Sequence, residues 1–456
     1  MAVSWSIDQV LALAPDASSA KSGKDLAAPR KWSLLGASDV CVWGEIQGSG
    51  KDPYRTCIDP GEPAFKCTCP SRKFPCKHSL GLFLILSQQP GALTDKEPPP
   101  WAAEWLAKRA QKAEKKAAQA AAPAEPPDPE AAAKAAAAAE KRAVAREAKV
   151  AAGLEDLEVW LRDLVRSGFA ALPGKTSGFW ETPAARLVDA QAPGLARRVR
   201  ELDGITATGD RWPTRLLERL ALIHLACEAW PRMNALAPTT QADLRAVIGF
   251  TEKQDDILAQ AAVRDRWLVL GQRVEEEDRL RVQRTWLCGA QTRRSALCLT
   301  FAAANQPLDT SLVPGTVIDA DLAFFPSACP LRVLVKERHG DPSQLQPETA
   351  AFPHATVAEA VAFAAESFIA NPWLEQVPFG LSGVTPLWLD ESWLARDSAG
   401  QALPLNVTDE QGWRLAAVAG GHPVALAGEW DGESLRPLSV WAEGRFSQVA
   451  RRQIQS

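Results

Sequence analysis

The run Cys67-Thr68-Cys69, six residues, then Cys76-Lys77-His78 gathers four sulfur or nitrogen donors within twelve positions, in a chain of 456 residues that holds nine cysteines and five histidines. Three thiolates and one imidazole fill a tetrahedron around one zinc ion and leave no vertex for water or substrate, so such a site holds a fold and does not catalyse. Cys67 and Cys69 stand two apart, and on an extended strand both side chains leave the same face. Pro70-Ser71-Arg72-Lys73-Phe74-Pro75 is long enough to curl around an ion, with a proline at each end to stiffen the turn. The apolar run from Ser79 to Leu86 then predicts a helix that packs on the strands. Ordinary reduced cysteines would leave the spacing unexplained. A disulfide framework fits less well, because the cysteine count is odd and Cys41, Cys57, Cys227, Cys288, Cys298 and Cys329 are scattered singly, as buried apolar residues are. Cys57 is the one spare thiol close enough upstream to substitute as a ligand.

Val42–Gly50 reads as a first strand with its turn, and Tyr54–Asp59 as a second. With the motif, these segments resemble the SWIM-type zinc finger, whose pattern is CxC, a variable gap and CxH on a strand-strand-helix unit. The resemblance covers about residues 1–90. It implies one structural Zn²⁺ on Cys67, Cys69, Cys76 and His78, and a module that binds protein or DNA. It also implies the company kept by bacterial SWIM proteins, MoxR-type AAA ATPases and von Willebrand A-like proteins.

With 46% apolar residues the chain has material for two or three cores. No run reaches the eighteen apolar residues of a membrane span, and Met1–Asp8 lacks the basic start of a signal peptide, so the expected location is the cytoplasm. A net charge of −4 argues against a chain-wide footprint for nucleic acid. Lys66, Arg72, Lys73 and Lys77 do crowd the motif, but three thiolates on one Zn²⁺ leave a net −1 for them to balance.

The expected fold class is α+β: a small N-terminal ββα zinc module, an Ala/Lys-rich helical linker, a helical block and a mainly antiparallel β region. Residues 1–95 hold the finger and short helices ahead of it, with Trp5, Trp32 and Trp43 adding aromatic mass. Residues 96–152 read as a solvated linker, polar or alanine all round, broken by Pro123, Pro126, Pro127 and Pro129. Residues 153–262 read as helical, with Leu154, Leu157, Leu161, Leu164 and Val165, and then Leu216, Leu217, Leu220, Ile223 and Cys227, at helical spacing. His224 and Cys227 fall three apart there and, with no partner pair in sequence, read as core residues. From 263 to 456 the period turns toward two: a hairpin over Trp267–Val274 and Arg279–Leu287 around an acidic turn, strands at Ala296–Ala302, Thr316–Phe324 and Leu331–Lys336, a helix at Val357–Ile369 and a hairpin at Val424–Trp441.

No phosphate loop, dinucleotide fingerprint, HExxH or GxSxG occurs, so no catalytic residue is assigned and the chain reads as a non-enzyme. The leading expectation is a zinc-binding interaction protein whose finger mediates protein contact, within an ATPase-linked assembly where the resemblance holds. The alternative is a DNA-binding protein that uses the finger and the basic linker, which carries ten Lys or Arg against seven Asp or Glu over 101–150.

Overall fold

The computed structural model describes residues 5, 7–48, 52–61, 63–71, 73–121, 129–277, 280–303, 306, 308–344 and 352–449. Arg72, the linker prolines at 123, 126 and 127, and Asp278 of the acidic turn lie outside them. The architecture is α+β, as the sequence predicts, and among the described residues no helix is long and apolar enough to cross a membrane.

Two short helices, α1 (Ile7–Ala12) and α2 (Ala17–Leu26), precede a five-stranded sheet. Its strands are β1 (Trp32–Ala37), β2 (Val42–Ile46), β3 (Tyr54–Asp59), β4 (Ala64–Cys67) and, after helix α3 (Lys77–Gln88), the short β5 (Thr94–Asp95), in the order β4-β3-β2-β1-β5. The module is thus larger than a ββα unit, because β1 and β4 flank the two expected strands. Helix α3 is apolar on nearly every side, since it packs on α1 and α2 as well as on the sheet: Leu80, Leu82, Phe83, Leu84 and Ile85 are all buried. Trp5 and Trp32 join this core, and Trp5 packs on Phe83.

The linker divides into α4 (Pro100–Ala121) and α5 (Pro129–Ser167), each beginning with proline, where the missing N–H costs nothing. Neither is purely solvated. The start of α4 lays Trp101, Ala102, Trp105 and Leu106 on Cys41, Trp43 and Cys57 of the zinc module. The end of the expected linker already belongs to the helical block: Val150 is buried in its core, and Arg146 stacks on Phe250 and donates to the Gly249 carbonyl. The Leu154, Leu157, Leu161, Leu164 stripe extends back one turn to Val150, which continues the period of 3.6.

The block comprises the rest of α5 with α6 (Gly178–Asp189), α7 (Pro193–Arg200), α8 (Trp212–Ala229) and α9 (Pro238–Ile248), followed by the short α10 (Gln254–Leu258). Leu216, Leu220, Ile223 and Cys227 face its core, whereas Val165 and Leu217 are exposed.

Strands β6 (Val263–Glu277), β7 (Leu280–Gly289), β8 (Ser295–Ala303), β9 (Thr316–Phe324) and β10 (Arg332–Arg338) close on themselves. β6 pairs with β9 through its first half and with β7 through its second, bulging between Val269 and Gly271. β10 pairs antiparallel with β9 and parallel with β8, which shuts a five-stranded barrel around Trp267, Val269, Leu287, Ile318 and Leu322. The short β11 (Ser343–Gln344) extends β9.

After α11 (Val357–Ala370), a third sheet runs β14-β13-β12-β15-β16-β17. Its strands are β12 (Val377–Leu389), β13 (Ser392–Asp397), β14 (Ala402–Pro404), β15 (Val424–Trp430), β16 (Leu435–Ala442) and β17 (Arg445–Gln448), with α12 (Asp409–Ala419) between β14 and β15. The sheet packs on the outer face of the barrel through Leu268, Leu270, Trp286 and Leu297. Backbones approach closely there, and a Cβ on Gly271 would lie 2.6 Å from Leu438.

Candidate metal centre

Each of the four donors is placed by a separate local device. Cys67 ends β4, where pairing with Thr56 holds its backbone in register. Thr56 is buried, and its hydroxyl donates to Cys67 Sγ at 3.2 Å. Thr68 exchanges two hydrogen bonds with Arg55, from its backbone N–H to the Arg55 carbonyl and to its hydroxyl from the Arg55 N–H, both 3.0 Å, which carries the chain on toward Cys69. Cys76 is the N-cap residue of α3, where the aligned peptide dipoles favour an anion. Its sulfur lies 3.4 Å from the Ser79 hydroxyl. His78 sits on the first turn, buried, and its ring packs on Tyr54 with centroids 5.1 Å apart.

These elements bring one donor atom from each of Cys67, Cys69, Cys76 and His78 to within 4.8 Å of one another. His78 turns Nδ1 inward, 3.8 Å from Cys67 Sγ and 4.0 Å from Cys76 Sγ. A tetrahedron with bonds near 2.0–2.3 Å has edges of about 3.5 Å, so these two edges lie within about half an ångström of it. Hydrogen bonds from Cys67 and Cys69 pull the Cys76 thiol far down, while the same contacts hold the proton on Cys67. Burial opposes a charged imidazole at His78, yet the neighbouring Cys69 and Cys76 outweigh it and raise the ring to about 9. A site that crowds ionisable sulfur so tightly suits a cation, and one zinc ion fits it.

Residues 66–86 match a family model described as the SWIM zinc finger. The chain carries this finger. A second model, described as the SWIM-associated four-helix bundle domain, matches residues 145–248, which start inside α5 at the turn where Arg146 and Val150 enter the bundle. No curated protein and no solved structure matches the chain.

Thr56, Ser79 and Tyr54 support the SWIM centre, and the motif alone does not name them. The only sequence cue to Thr56 is its place on the strand beside Cys67. Cys57, expected as a substitute ligand, is not placed to serve. Strand alternation turns it away from the Thr56 side, and its sulfur lies 3.5 Å from that of Cys41 beneath α4.

Proposed function

We propose that the protein is a zinc-stabilised interaction protein of the cytoplasm, without catalytic chemistry of its own. In this reading Cys67, Cys69, Cys76 and His78 are the ligands of one structural zinc, and the finger mediates protein contact. The observation that carries it is the closed four-donor cage, and three basic side chains on and beside the module are engaged within the chain. Lys73 pairs with Asp16 at 2.7 Å, Arg55 with Glu45 at 3.1 Å, and Arg109 with Asp59 at 3.3 Å. Cations so engaged are poorly placed to neutralise phosphates, and phosphate neutralisation dominates nucleic-acid affinity. The ATPase-linked assembly implied by the SWIM resemblance is the partner class of this proposal.

DNA binding is the second reading, favoured by Lys66 and Lys77, which stand exposed on either side of the cage. The full-length protein, titrated with duplex and single-stranded DNA at physiological salt, separates the two. Protein contact predicts at most the nonspecific strength of roughly 10⁻⁴–10⁻⁶ M. Sub-micromolar binding that weakens steeply with salt, and that is lost when Lys66, Lys73 and Lys77 are all changed to Gln with zinc retained, replaces the first reading with the second.

A further inference from the structure

We propose a second divalent-metal site on the helical bundle, formed by Glu158 of α5 with His224 and Glu228 of α8, that takes a transition metal such as Zn²⁺ or Co²⁺. His224 and Glu228 are four residues apart, so they share one face of α8. Glu158 approaches from α5, and one donor atom of each lies within 4.8 Å of the others. All three are half-buried, so His224 is not the core residue its apolar neighbours suggest. Among the described residues its ring has no hydrogen-bond partner.

The donor set defines the ligand. One imidazole and two carboxylates suit borderline divalent metals, and three protein ligands leave a position for water. The site is therefore open, whereas the SWIM centre is closed. In the present arrangement Arg162 pairs with Glu158, and Arg232 with Glu228 at 3.2 Å. Both arginines are mostly exposed and each stands one turn from its carboxylate, a kind of pair that is weak and readily broken. A divalent cation presents to the two carboxylates the same +2 that the two guanidiniums supply, and the guanidiniums return to water. A third mixed cluster, Asp321, Glu337 and His339, differs because its imidazole is already held by Asp321 at 2.8 Å and Glu337 is exposed.

Cobalt(II) titration of the full-length, metal-stripped protein tests the proposal, because thiolate-to-cobalt charge transfer marks the SWIM centre and an imidazole-carboxylate site lacks it. Two equivalents are expected, only the first of which raises the thiolate band. His224→Ala should lose the second equivalent and keep the thiolate band unchanged. Glu158→Gln with Glu228→Gln, which preserves shape and helix propensity, should do the same if His224→Ala perturbs the bundle. Arg162→Gln with Arg232→Gln should tighten the second site by removing its competitors. A single equivalent in the unmodified protein, or a second equivalent that survives both ligand variants, overturns the assignment.

Discussion

The zinc module and the barrel are each built on five strands, yet they solve the problem of the sheet edge differently. In the module the edge strand β4 has a neighbour on one side only and runs straight into the ligand Cys67. Past that point the chain is held by Thr56, the Thr68–Arg55 exchange and the metal cage. In the barrel, β10 is zipped to β9 on one side and β8 on the other, so the ring β6 to β10 has no free edge. One region thus depends on an ion where its hydrogen-bonded ladder ends, and the other closes its ladder and depends on what fills it. The same distinction separates the two metal-binding surfaces: the finger needs its ion to hold the chain, while the α5–α8 cluster sits on helices that are already packed.

The largest expected effect follows at the finger. Structural zinc sites supply about 10–16 kcal/mol in isolated finger peptides, comparable to or above the roughly 5–15 kcal/mol net stability of a whole domain. Cys76→Ser, or chelation of the native protein, should therefore unfold residues 1–95 and leave the barrel intact. Elemental analysis should show the zinc lost, and trypsin should remove the N-terminal module while a fragment of about residues 150–456 resists. Gln9 donates to the Gly315 carbonyl and Val313 is buried in the module core, so the loop before β9, which holds no Lys or Arg for trypsin, should gain cleavage by chymotrypsin at Leu308 and Leu312. Simultaneous melting of both regions in the Cys76→Ser protein would break the comparison.

The barrel is challenged where it meets the third sheet. Glu429 on β15 is fully buried, and it accepts from Trp286 Nε1 at 2.7 Å while pairing with Arg273 at 2.8 Å and Arg284 at 3.2 Å. Glu429→Ala removes the carboxylate shared by Arg284, Arg273 and the Trp286 N–H, of which Arg273 keeps Glu275, and removing one partner of a buried pair costs about 3–5 kcal/mol. Denaturant melts should show that loss with zinc stoichiometry unchanged. If the variant instead releases zinc, the two regions do not rest on separate supports.

A smaller effect is expected at the β7–β8 turn. Asp265 is buried and accepts from the backbone N–H groups of Gln291 and Thr292 and from the Thr292 hydroxyl. Asp265→Ala leaves those donors unsatisfied, which costs about 1–3 kcal/mol. Burial raises the Asp265 carboxyl, but these donors outweigh it and hold the group below its usual range. A depressed acid stabilises the fold fully above its unfolded pKa, and the contribution disappears as pH falls through the folded one. The wild type should therefore lose this part of its barrel stability only below about pH 4, and Asp265→Asn should flatten that part of the acid limb. An unchanged acid limb would remove Asp265 from the account.

What was legible in the chain follows the same division. The cage could be read from twelve residues because its ligands are local in sequence, and one zinc fits where they meet. The strands at 263–338 were legible by their alternation, but their closure was not, since the β8–β10 pairing that shuts the ring joins Leu297 to Arg332 and no local pattern encodes it. Strand β12 was not among the expected strands; it carries Pro378 and Pro386, yet both sit at paired positions, opposite Glu429 and Ala395. The linker looked solvated because, among the described residues, its apolar contacts lie at the ends, Trp101 and Trp105 on one helix and Val150 on the other. His224 looked like core because the acid that approaches it, Glu158, lies on another helix.

The smallest effect concerns charge at the finger itself. Asp16 both pairs with Lys73 and caps α2, accepting from the Ser19 N–H at 2.6 Å. Burial raises the Asp16 carboxyl, but Lys73 and Ser19 outweigh it and lower the group overall. The two roles differ in strength: an exposed ion pair contributes about 0–1 kcal/mol, whereas loss of a capping side chain costs about 1 kcal/mol and up to 2. Lys73→Gln should therefore barely move the melting of the zinc-loaded module, while Asp16→Ala should lower it measurably. A double-mutant cycle should return a coupling near the bottom of the ion-pair range that shrinks further in salt. A large coupling would mean that the finger loop leans on α2 electrostatically, and the module would then rest on charge as well as on its metal.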